Sequence, residues 1–225
     1  VKGFEALLRW SDEELGDIAP DEFITLAEES GQIVPLGKWV LNSALKQLSM
    51  WQREFNNELM MSINISSIQM HATFAEQLSA MLNFYNIQPQ SIALEITESS
   101  MIFKHGEVRQ ALSDISKLGV ELHLDDFGTG YSSLSMLHDL PISTVKLDKS
   151  FVHGSHKGSK AIVQATHAIC DKLGLKVVAE GVETETQKAF LIDCGYQYLQ
   201  GFLFSKPIPS NEVERQFLTG RLIDI

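Results

Sequence analysis

The stretch Leu122-His123-Leu124-Asp125-Asp126-Phe127-Gly128 places two aspartates directly after a short apolar run. Adjacent carboxylates repel each other, so two of them where a buried strand meets a loop are costly unless a cation lies between them. Polar or metal-binding side chains recur near the ends of the other apolar runs of the chain. This recurrence is typical of a metal site assembled from several strands, and it favours an enzyme.

Short apolar runs alternate with longer amphipathic segments along the whole chain. The apolar runs predict strands at 4–9, 60–65, 92–96, 120–125, 144–147, 176–179 and 198–204. The amphipathic segments predict helices at 20–30, 36–55, 73–85, 107–118, 159–173 and 184–194, and a last helix after Pro209. Because strands and helices alternate, we predict an α/β fold with parallel strands.

An open, doubly wound sheet and a closed barrel both agree with this alternation. Functional groups at the ends of all the predicted strands favour the barrel, because an open sheet concentrates its ligand at one switch point. We therefore predict a TIM-like (β/α)8 barrel. The chain opens almost directly in its first predicted strand, so we expect the first strand of the barrel to be missing from it. We expect residues 1–225 to form a single domain.

The side chains at the predicted strand ends are mostly oxygen donors. In chain order they are Glu5, Asn64, Glu95, Asp125 with Asp126, Lys146, Glu180 and Gln200. Burying so many carboxylates around one cavity is prohibitive unless cations neutralise them. Oxygen ligands select Mg²⁺ or Mn²⁺, and paired aspartates with further oxygen donors suit two ions about 3.5–4 Å apart, as in phosphoryl displacement.

Composition narrows the possible partners and the location of the chain. Its 225 residues, of which 44% are hydrophobic, are enough for one large domain. A net charge of −11, without a long basic cluster, argues against polymeric nucleic acid as a partner. No apolar stretch reaches the roughly 18 residues of a membrane helix. The two cysteines imply no disulfide framework, so we expect a cytoplasmic location.

Seven ordered motifs resemble those of the EAL domain family, the bacterial cyclic-di-GMP phosphodiesterases. The match spans essentially the whole chain. The motifs are Glu5-Ala6-Leu7-Leu8-Arg9-Trp10, Ser62-Ile63-Asn64-Ile65-Ser66, Leu94-Glu95-Ile96-Thr97-Glu98-Ser99, Leu124-Asp125-Asp126-Phe127-Gly128-Thr129-Gly130-Tyr131-Ser132-Ser133-Leu134, Val145-Lys146-Leu147-Asp148, Val178-Ala179-Glu180-Gly181-Val182-Glu183-Thr184 and Leu199-Gln200-Gly201-Phe202-Leu203-Phe204-Ser205-Lys206-Pro207.

The resemblance implies roles for the strand-end residues. It implies two sets of metal ligands that share Asp125: Glu5, Asn64, Glu95 and Asp125 for one ion, and Asp125, Asp126 and Glu180 for the other. It also places Lys146 and Glu180 beside the attacking water. A cationic lysine is a poor base unless its pKa falls, so we expect Glu180 to assist the water and Lys146 to orient it. The expected catalytic residues are thus Glu180, Lys146 and Asp126.

The resemblance also implies substrate contacts and a regulatory loop. Leu7, Arg9 and Gln200 match positions that contact the substrate. Residues 126–133 match a flexible loop that couples metal binding to dimer formation, with Glu98 and Glu183 as its anchors.

The expected reaction is hydrolysis of one phosphodiester bond of cyclic-di-GMP to linear 5′-pGpG by two Mg²⁺ or Mn²⁺ ions. The alternative is a receptor domain that binds cyclic-di-GMP without hydrolysing it, and a scaffolding domain is a third possibility. We expect a homodimer that is fused to, or regulated by, sensory or cyclase domains.

Histidines offer a further set of metal-capable side chains. His153 and His156 are three residues apart, but they lie in a Gly/Ser/Lys-rich segment without acidic neighbours, which argues against a metal site. His123 shares a strand face with Asp125. We expect it to be a packed or hydrogen-bonded histidine rather than a ligand.

Overall fold

A computed structural model describes residues 1–55, 58–101, 106–130, 134–154 and 157–219 of the chain. The strands are β1 (Gly3–Ala6), β2 (Trp10–Asp12), β3 (Gly16–Ile18), β4 (Met60–Asn64), β5 (Ile92–Thr97), β6 (Glu121–Phe127), β7 (Thr144–Leu147), β8 (Lys176–Ala179) and β9 (Tyr198–Leu199). The α-helices are α1 (Pro20–Glu29), α2 (Ile33–Glu54), α3 (Phe74–Tyr85), α4 (Glu98–Met101), α5 (Glu107–Lys117), α6 (Leu134–Asp139), α7 (Lys149–His153), α8 (Lys157–Leu173), α9 (Glu185–Asp193) and α10 (Ser210–Val213).

Seven strands form one sheet, in the order β1-β4-β5-β6-β7-β8-β9. β1 pairs in parallel with β4, and β6, β7, β8 and β9 pair in parallel in succession. Helices lie between most of these strands in the sequence, as parallel connections require. β2 and β3 form a separate antiparallel ribbon.

Helix boundaries follow the local chemistry of the sequence. α1 starts with Pro20, whose missing N–H is not needed at the first helical position. α2 starts at Ile33, three residues before the predicted start, because the first turn also tolerates Pro35. α9 starts after a capping box, in which the Thr184 side chain accepts a hydrogen bond from the Gln187 backbone N–H.

The chain divides into two compact units, and β5 contributes residues to both. The first unit takes its described residues from 1–94, 104–120 and 209–225. Its core includes Leu45, Leu48 and Trp51 of α2, all almost completely buried. The indole Nε1 of Trp51 donates a hydrogen bond to Glu214 Oε1 at 2.8 Å, which joins the residue directly after α10 to α2.

The second unit takes its described residues from 95–103 and 121–208, and it contains β6 to β9. Leu122 and Leu124 of β6 are buried, as are Val145 and Leu147 of β7. Because neighbouring side chains on a strand point to opposite faces, these apolar residues leave alternate positions for polar groups. The polar positions carry the candidate site.

Two predicted strands are shorter in the structure than in the sequence-based prediction. The first ends at Ala6 rather than at residue 9, and the last ends at Leu199 rather than at residue 204. After Leu199 the backbone forms hydrogen bonds with Val182 instead of with a strand: Val182 N donates to Gln200 O, and Leu203 N donates to Val182 O.

The antiparallel β2–β3 ribbon was not predicted from the sequence. Within the described residues, no helix combines the length and apolar composition of a membrane span.

Candidate active site

A β-bulge at the end of β6 places both aspartates of the acidic pair opposite one residue of β7. Leu124 is in register with Val145 and Phe127 with Leu147, so Asp125 and Asp126 together span the single residue between them on β7. On a regular strand, adjacent side chains would point to opposite faces. A bulge redirects side chains, which allows two consecutive residues to serve one site.

Asp126 has the backbone conformation that the bulge requires. Its φ is +56°, in the left-handed region that residues other than glycine rarely adopt, although aspartate tolerates it better than most. Its backbone N–H donates to Asp125 Oδ1 at 2.9 Å. In this arrangement Asp125, Asp126 and Glu180 each offer a carboxylate oxygen, and the three oxygens lie within 4.8 Å of one another.

The buried side chain of Lys146 lies among three carboxylates of the second unit. Its Nζ donates to Glu95 Oε2 at 2.7 Å and lies 2.8 Å from Glu180 Oε1. Asp125 Oδ2 is 3.4 Å away. The side chains of Lys146 and Glu95 are each only 2% exposed, so this is a desolvated ion pair rather than a surface one.

The positive charge of Lys146 does not fully compensate the negative charges of Asp125 and Asp126. Burial raises the pKa of Asp125, and the neighbouring Glu95 raises it further, against the opposing effect of Lys146. Burial also raises the pKa of Asp126, with added repulsion from Asp125 and Asp148. Clustered oxygen donors with raised pKa values are the environment in which a divalent cation is stabilising. The donor set therefore fits Mg²⁺ or Mn²⁺.

Glu95 has a second neighbour, in addition to Lys146, that lowers its pKa. Its Oε1 lies 3.6 Å from Nδ1 of His123, whose Nε2 lies 3.2 Å from Glu121 Oε2. Burial alone would raise the pKa of Glu95, but His123 and Lys146 together hold it well below its usual range. Burial likewise opposes the charged form of His123, yet Glu121 and Glu95 raise its pKa above the ordinary value.

The first unit contains the two other residues predicted as metal ligands. Glu5 lies on β1 and Asn64 at the end of β4, with Glu5 in register with Ser62. The Asn64 amide donates a hydrogen bond to Glu5 Oε1 at 2.7 Å. The structure thus brings Glu5 and Asn64 into contact with each other.

The predicted loop anchors differ in their surroundings. Glu98 is buried, and its Oε2 accepts a hydrogen bond from the backbone N–H of Gly128 at 3.2 Å. A Cβ on Gly130 would lie 2.8 Å from Glu98 Oε1, so the loop passes directly over this carboxylate. Glu183 is more exposed and lies 3.8 Å from His153 Nε2. Residues 131–133 of the predicted loop lie outside the described residues.

The predicted substrate-contact residues occupy chain positions that follow strands. Leu7 comes directly after β1 and is 40% exposed. Arg9 is exposed, and its guanidinium donates to the carbonyl of Leu8. Gln200 follows β9, and its backbone N–H donates to Ala179 O at 2.9 Å.

The sequence interpretation missed the connection from Lys176 through Glu121 to His123. Lys176 Nζ donates to Glu121 Oε1 at 2.7 Å. Glu121, His123 and Asp125 alternate with leucines, and this period-two pattern was the available signal for a polar strand face. His153 Nε2 donates a hydrogen bond to Gly181 O, while His156 lies outside the described residues.

Comparison with known proteins identifies relatives over nearly the whole chain. A family model described as "EAL domain" matches residues 1–207. The cyclic di-GMP phosphodiesterase PdeR of Escherichia coli K12 is 43% identical over 220 residues, which are 96% of this chain and 33% of PdeR. The bifunctional diguanylate cyclase/cyclic di-GMP phosphodiesterase MucR of Pseudomonas aeruginosa is 39% identical over 214 residues, 94% of this chain and 31% of MucR. The chain spans about a third of the length of these relatives.

Solved structures agree with this relationship. The PaMucR phosphodiesterase in complex with c-di-GMP superposes with a TM-score of 0.87 at 39% identity, covering 93% of this chain and 86% of that one. The cAMP-bound form of the EAL enzyme Bd1971 gives a TM-score of 0.91 at 35% identity, covering 96% and 61% of the two chains. These matches confirm the predicted α/β, TIM-like fold class.

Proposed function

Because the chain belongs to the EAL domain family, we propose that it hydrolyses one phosphodiester bond of cyclic-di-GMP and releases linear 5′-pGpG. The observation that carries the proposal is the contact of Lys146 Nζ with carboxylates of Glu95, Asp125 and Glu180. Burying such a cluster costs more than an apolar core of the same volume, so packing alone does not account for it. PdeR and MucR, both named as cyclic di-GMP phosphodiesterases, support phosphodiester hydrolysis of this substrate.

We propose two Mg²⁺ or Mn²⁺ ions as cofactors. Bound at the carboxylates, such ions lower the pKa of a water molecule and neutralise the phosphate of the substrate. The close oxygens of Asp125, Asp126 and Glu180 support one of the two ligand sets. The family resemblance supplies the other set: Glu5, Asn64, Glu95 and Asp125.

The proposed catalytic roles follow from which atoms can accept a proton. An ammonium group has three donors and no acceptor, so Lys146 holds and orients oxygen atoms rather than removing a proton. Glu180 Oε1 lies 2.8 Å from that ammonium, and we assign the carboxylate of Glu180 the role of assisting the attacking water. Asp126 contributes an exposed carboxylate on the bulge.

We propose that Leu7, Arg9 and Gln200 contact the substrate. The guanidinium fork of Arg9 matches two phosphate oxygens, and the side chain is exposed. A chain with a net charge of −11 would repel a dianionic nucleotide. Cations at the acidic cluster reverse the field locally, which is why binding of the substrate and binding of the ions are expected to depend on each other.

Assembly and context are proposed on the basis of the family resemblance. We propose a homodimer in which the loop at 126–133 links the active site to the dimer contact. We also propose regulation by cyclase or sensory domains and a cytoplasmic site of action. The relative MucR, a bifunctional diguanylate cyclase and phosphodiesterase, supports regulation by a cyclase domain. Analytical ultracentrifugation of the purified chain tests the dimer.

A turnover assay tests the proposed function. The purified protein is incubated with cyclic-di-GMP and either Mg²⁺ or Mn²⁺, and products are separated by chromatography. We expect linear 5′-pGpG from the wild type and a loss of at least about 100-fold in kcat for Glu180→Ala and for Asp125→Asn, because each removes a charged carboxylate of the acidic cluster. Chelation of the metal should abolish turnover reversibly.

The matched control is Glu185→Ala, which removes an exposed carboxylate that pairs with the side chain of Lys188 three residues away on α9. Its kcat should stay within about twofold of the wild-type value, since exposed ion pairs contribute little. Tight binding of cyclic-di-GMP without any linear product would contradict the proposal and favour the receptor alternative. Full turnover by Glu180→Ala would overturn the residue assignment.

A further inference from the structure

A line of partly buried polar contacts runs along one face of β6, on the strand that ends in the acidic pair. Glu121 and His123 lie on the same face of the strand because side chains alternate. His123 Nε2 is 3.2 Å from Glu121 Oε2, and His123 Nδ1 is 3.6 Å from Glu95 Oε1. Both ring nitrogens of this histidine therefore face carboxylates.

The two oxygens of Glu95 face different partners. Oε2 accepts a hydrogen bond from Lys146 Nζ at 2.7 Å, and Oε1 faces the imidazole of His123. The last torsion of a glutamate side chain has a broad, shallow preference, so one partner alone leaves the carboxylate free to rotate. Two partners on opposite oxygens fix the plane of the carboxylate.

The imidazole of His123 also contacts a carboxylate through its other ring nitrogen, Nε2. Glu121 Oε2 faces His123 Nε2, while Glu121 Oε1 accepts from Lys176 Nζ at 2.7 Å. The side chain of His123 is 12% exposed and that of Glu121 is 21% exposed, so both contacts are partly shielded from solvent. An apolar side chain would fill the same space at a lower desolvation cost, and packing therefore does not explain a histidine at this position.

We infer that His123 is a positioning residue: held by Glu121, it fixes the carboxylate of Glu95 in the orientation that meets Lys146 and the acidic cluster. The inference rests on the proposed function, because Glu95 is one of the proposed metal ligands. Removal of groups that orient metal ligands typically costs about 10–100-fold in metal affinity or activity. We expect an effect of that size when His123 loses its contact with Glu95.

Three substitutions separate the contact with Glu95 from the contact with Glu121. In His123→Asn the amide nitrogen can occupy the place of Nδ1 and face Glu95. In His123→Gln the amide reaches the place of Nε2 and faces Glu121 instead. His123→Leu fills the space but donates to neither. We expect kcat to fall about 10–100-fold in the Leu and Gln variants, with KM for cyclic-di-GMP within about threefold, and to fall less than about fivefold in the Asn variant.

Binding of Mn²⁺ alone, measured by isothermal titration calorimetry, gives a second readout that does not require turnover. The dissociation constant should rise about tenfold or more for His123→Leu and change little for His123→Asn. Glu121→Gln should show a smaller rise than His123→Leu, because it loosens the imidazole without removing it. Thermal unfolding identifies any variant that fails to fold. If His123→Leu fails to fold, the Mn²⁺ affinity of Glu121→Gln tests the inference instead.

The matched control is His138→Leu, an exposed histidine whose Nδ1 also lies beside a carboxylate, that of Asp139 at 3.3 Å. It should change neither kcat nor Mn²⁺ affinity.

Wild-type values for His123→Leu in both measurements would overturn the inference, as would equal losses for the Asn and Leu variants. A wild type that binds Mn²⁺ but produces no linear product would refute the proposed function alone, and the Mn²⁺ affinities of the variants would still decide the inference. A wild type that does not bind Mn²⁺ would overturn both.

Discussion

Lys146 Nζ lies 2.7 Å from Glu95 Oε2, and both side chains are 2% exposed, which makes this a fully buried ion pair in the second unit. Such pairs contribute little net stability compared with an apolar core, because each charge has lost its water. Removing one partner of the pair is strongly destabilising, because the remaining charge is then buried without compensation. The pair therefore couples the stability of the unit to the acidic cluster.

We expect Lys146→Met to lower the free energy of unfolding by about 3–5 kcal/mol, because Glu95, Asp125 and Glu180 all lose their shared cation. The double variant Glu95→Gln with Lys146→Met should be more stable than Lys146→Met alone. Urea unfolding in the presence of a chelator measures both. Lys117→Met serves as the control, since its pair with Asp114 is exposed to solvent and should contribute little to stability. Equal stability of the single and double variants would contradict this account of the buried pair.

The backbone and the carboxylate of Asp126 have separable effects. Its φ of +56° favours glycine or asparagine over alanine, so Asp126→Ala should be about 1 kcal/mol less stable than Asp126→Gly or Asp126→Asn. All three variants lack the carboxylate, and all should lose turnover to a similar degree. Urea unfolding and the turnover assay make the comparison. Equal stability of the Ala and Gly variants would show that the bulge does not need this conformation.

The stability of the second unit should depend on pH through Glu121. Contact with His123 and the ion pair with Lys176 lower the pKa of Glu121 from its ordinary value of 4.5 to about 2. Because the folded form binds its proton less readily, the stabilisation is complete above about pH 4.5 and is lost as the pH falls toward 2. Solvent screens this partly exposed group, so we expect a contribution of about 1 kcal/mol.

Glu121→Gln lacks that titration. The wild type should thus exceed the variant in stability at pH 5, and the difference should shrink at pH 3. Urea unfolding at both values tests this, and His123 is protonated at both because its pKa is raised above 6.5. A difference that grows toward low pH would have the wrong sign for the proposed ion pair.

Gly201 supports the position of Gln200. A Cβ at Gly201 would lie 2.2 Å from both the backbone nitrogen and the backbone oxygen of Val182, which cannot move independently of the chain. We expect Gly201→Ala to destabilise the protein by about 1–3 kcal/mol and to raise KM for cyclic-di-GMP more than it lowers kcat. Gly158→Ala is the control, because a Cβ there meets nothing within 4 Å. An unchanged KM would argue against a substrate contact for Gln200.

The regular part of the fold could be predicted from the sequence, because it depends on local patterns. The strands at 144–147 and 176–179 have the predicted bounds in β7 and β8, since short β-branched runs flanked by amphipathic segments leave little choice. The capping box of α9 is local as well. The resemblance to the EAL domain family is confirmed. The single-domain organisation and the roles of the site residues stay predictions.

The remaining features depend on contacts between segments that are distant in the sequence. The bulge arises from the register of β6 against β7, which hydrophobic periodicity alone does not determine. The contact of His123 with Glu95 joins residues on different strands, so the pattern of neither strand predicts it. The last strand is short because residues beyond Leu199 bond to the chain at Val182. Each of these features bears on the candidate site.

The extra residue in β6 also means that shortening the chain and replacing a side chain are not equivalent changes. Deleting Asp126 would let Asp125 alone face Lys146 in an even ladder, while Phe127 would keep its partner Leu147. Such a deletion removes an acid without leaving a mismatch in the sheet. A one-residue contraction is thus a route by which an enzyme of this architecture could become inactive and stay well folded.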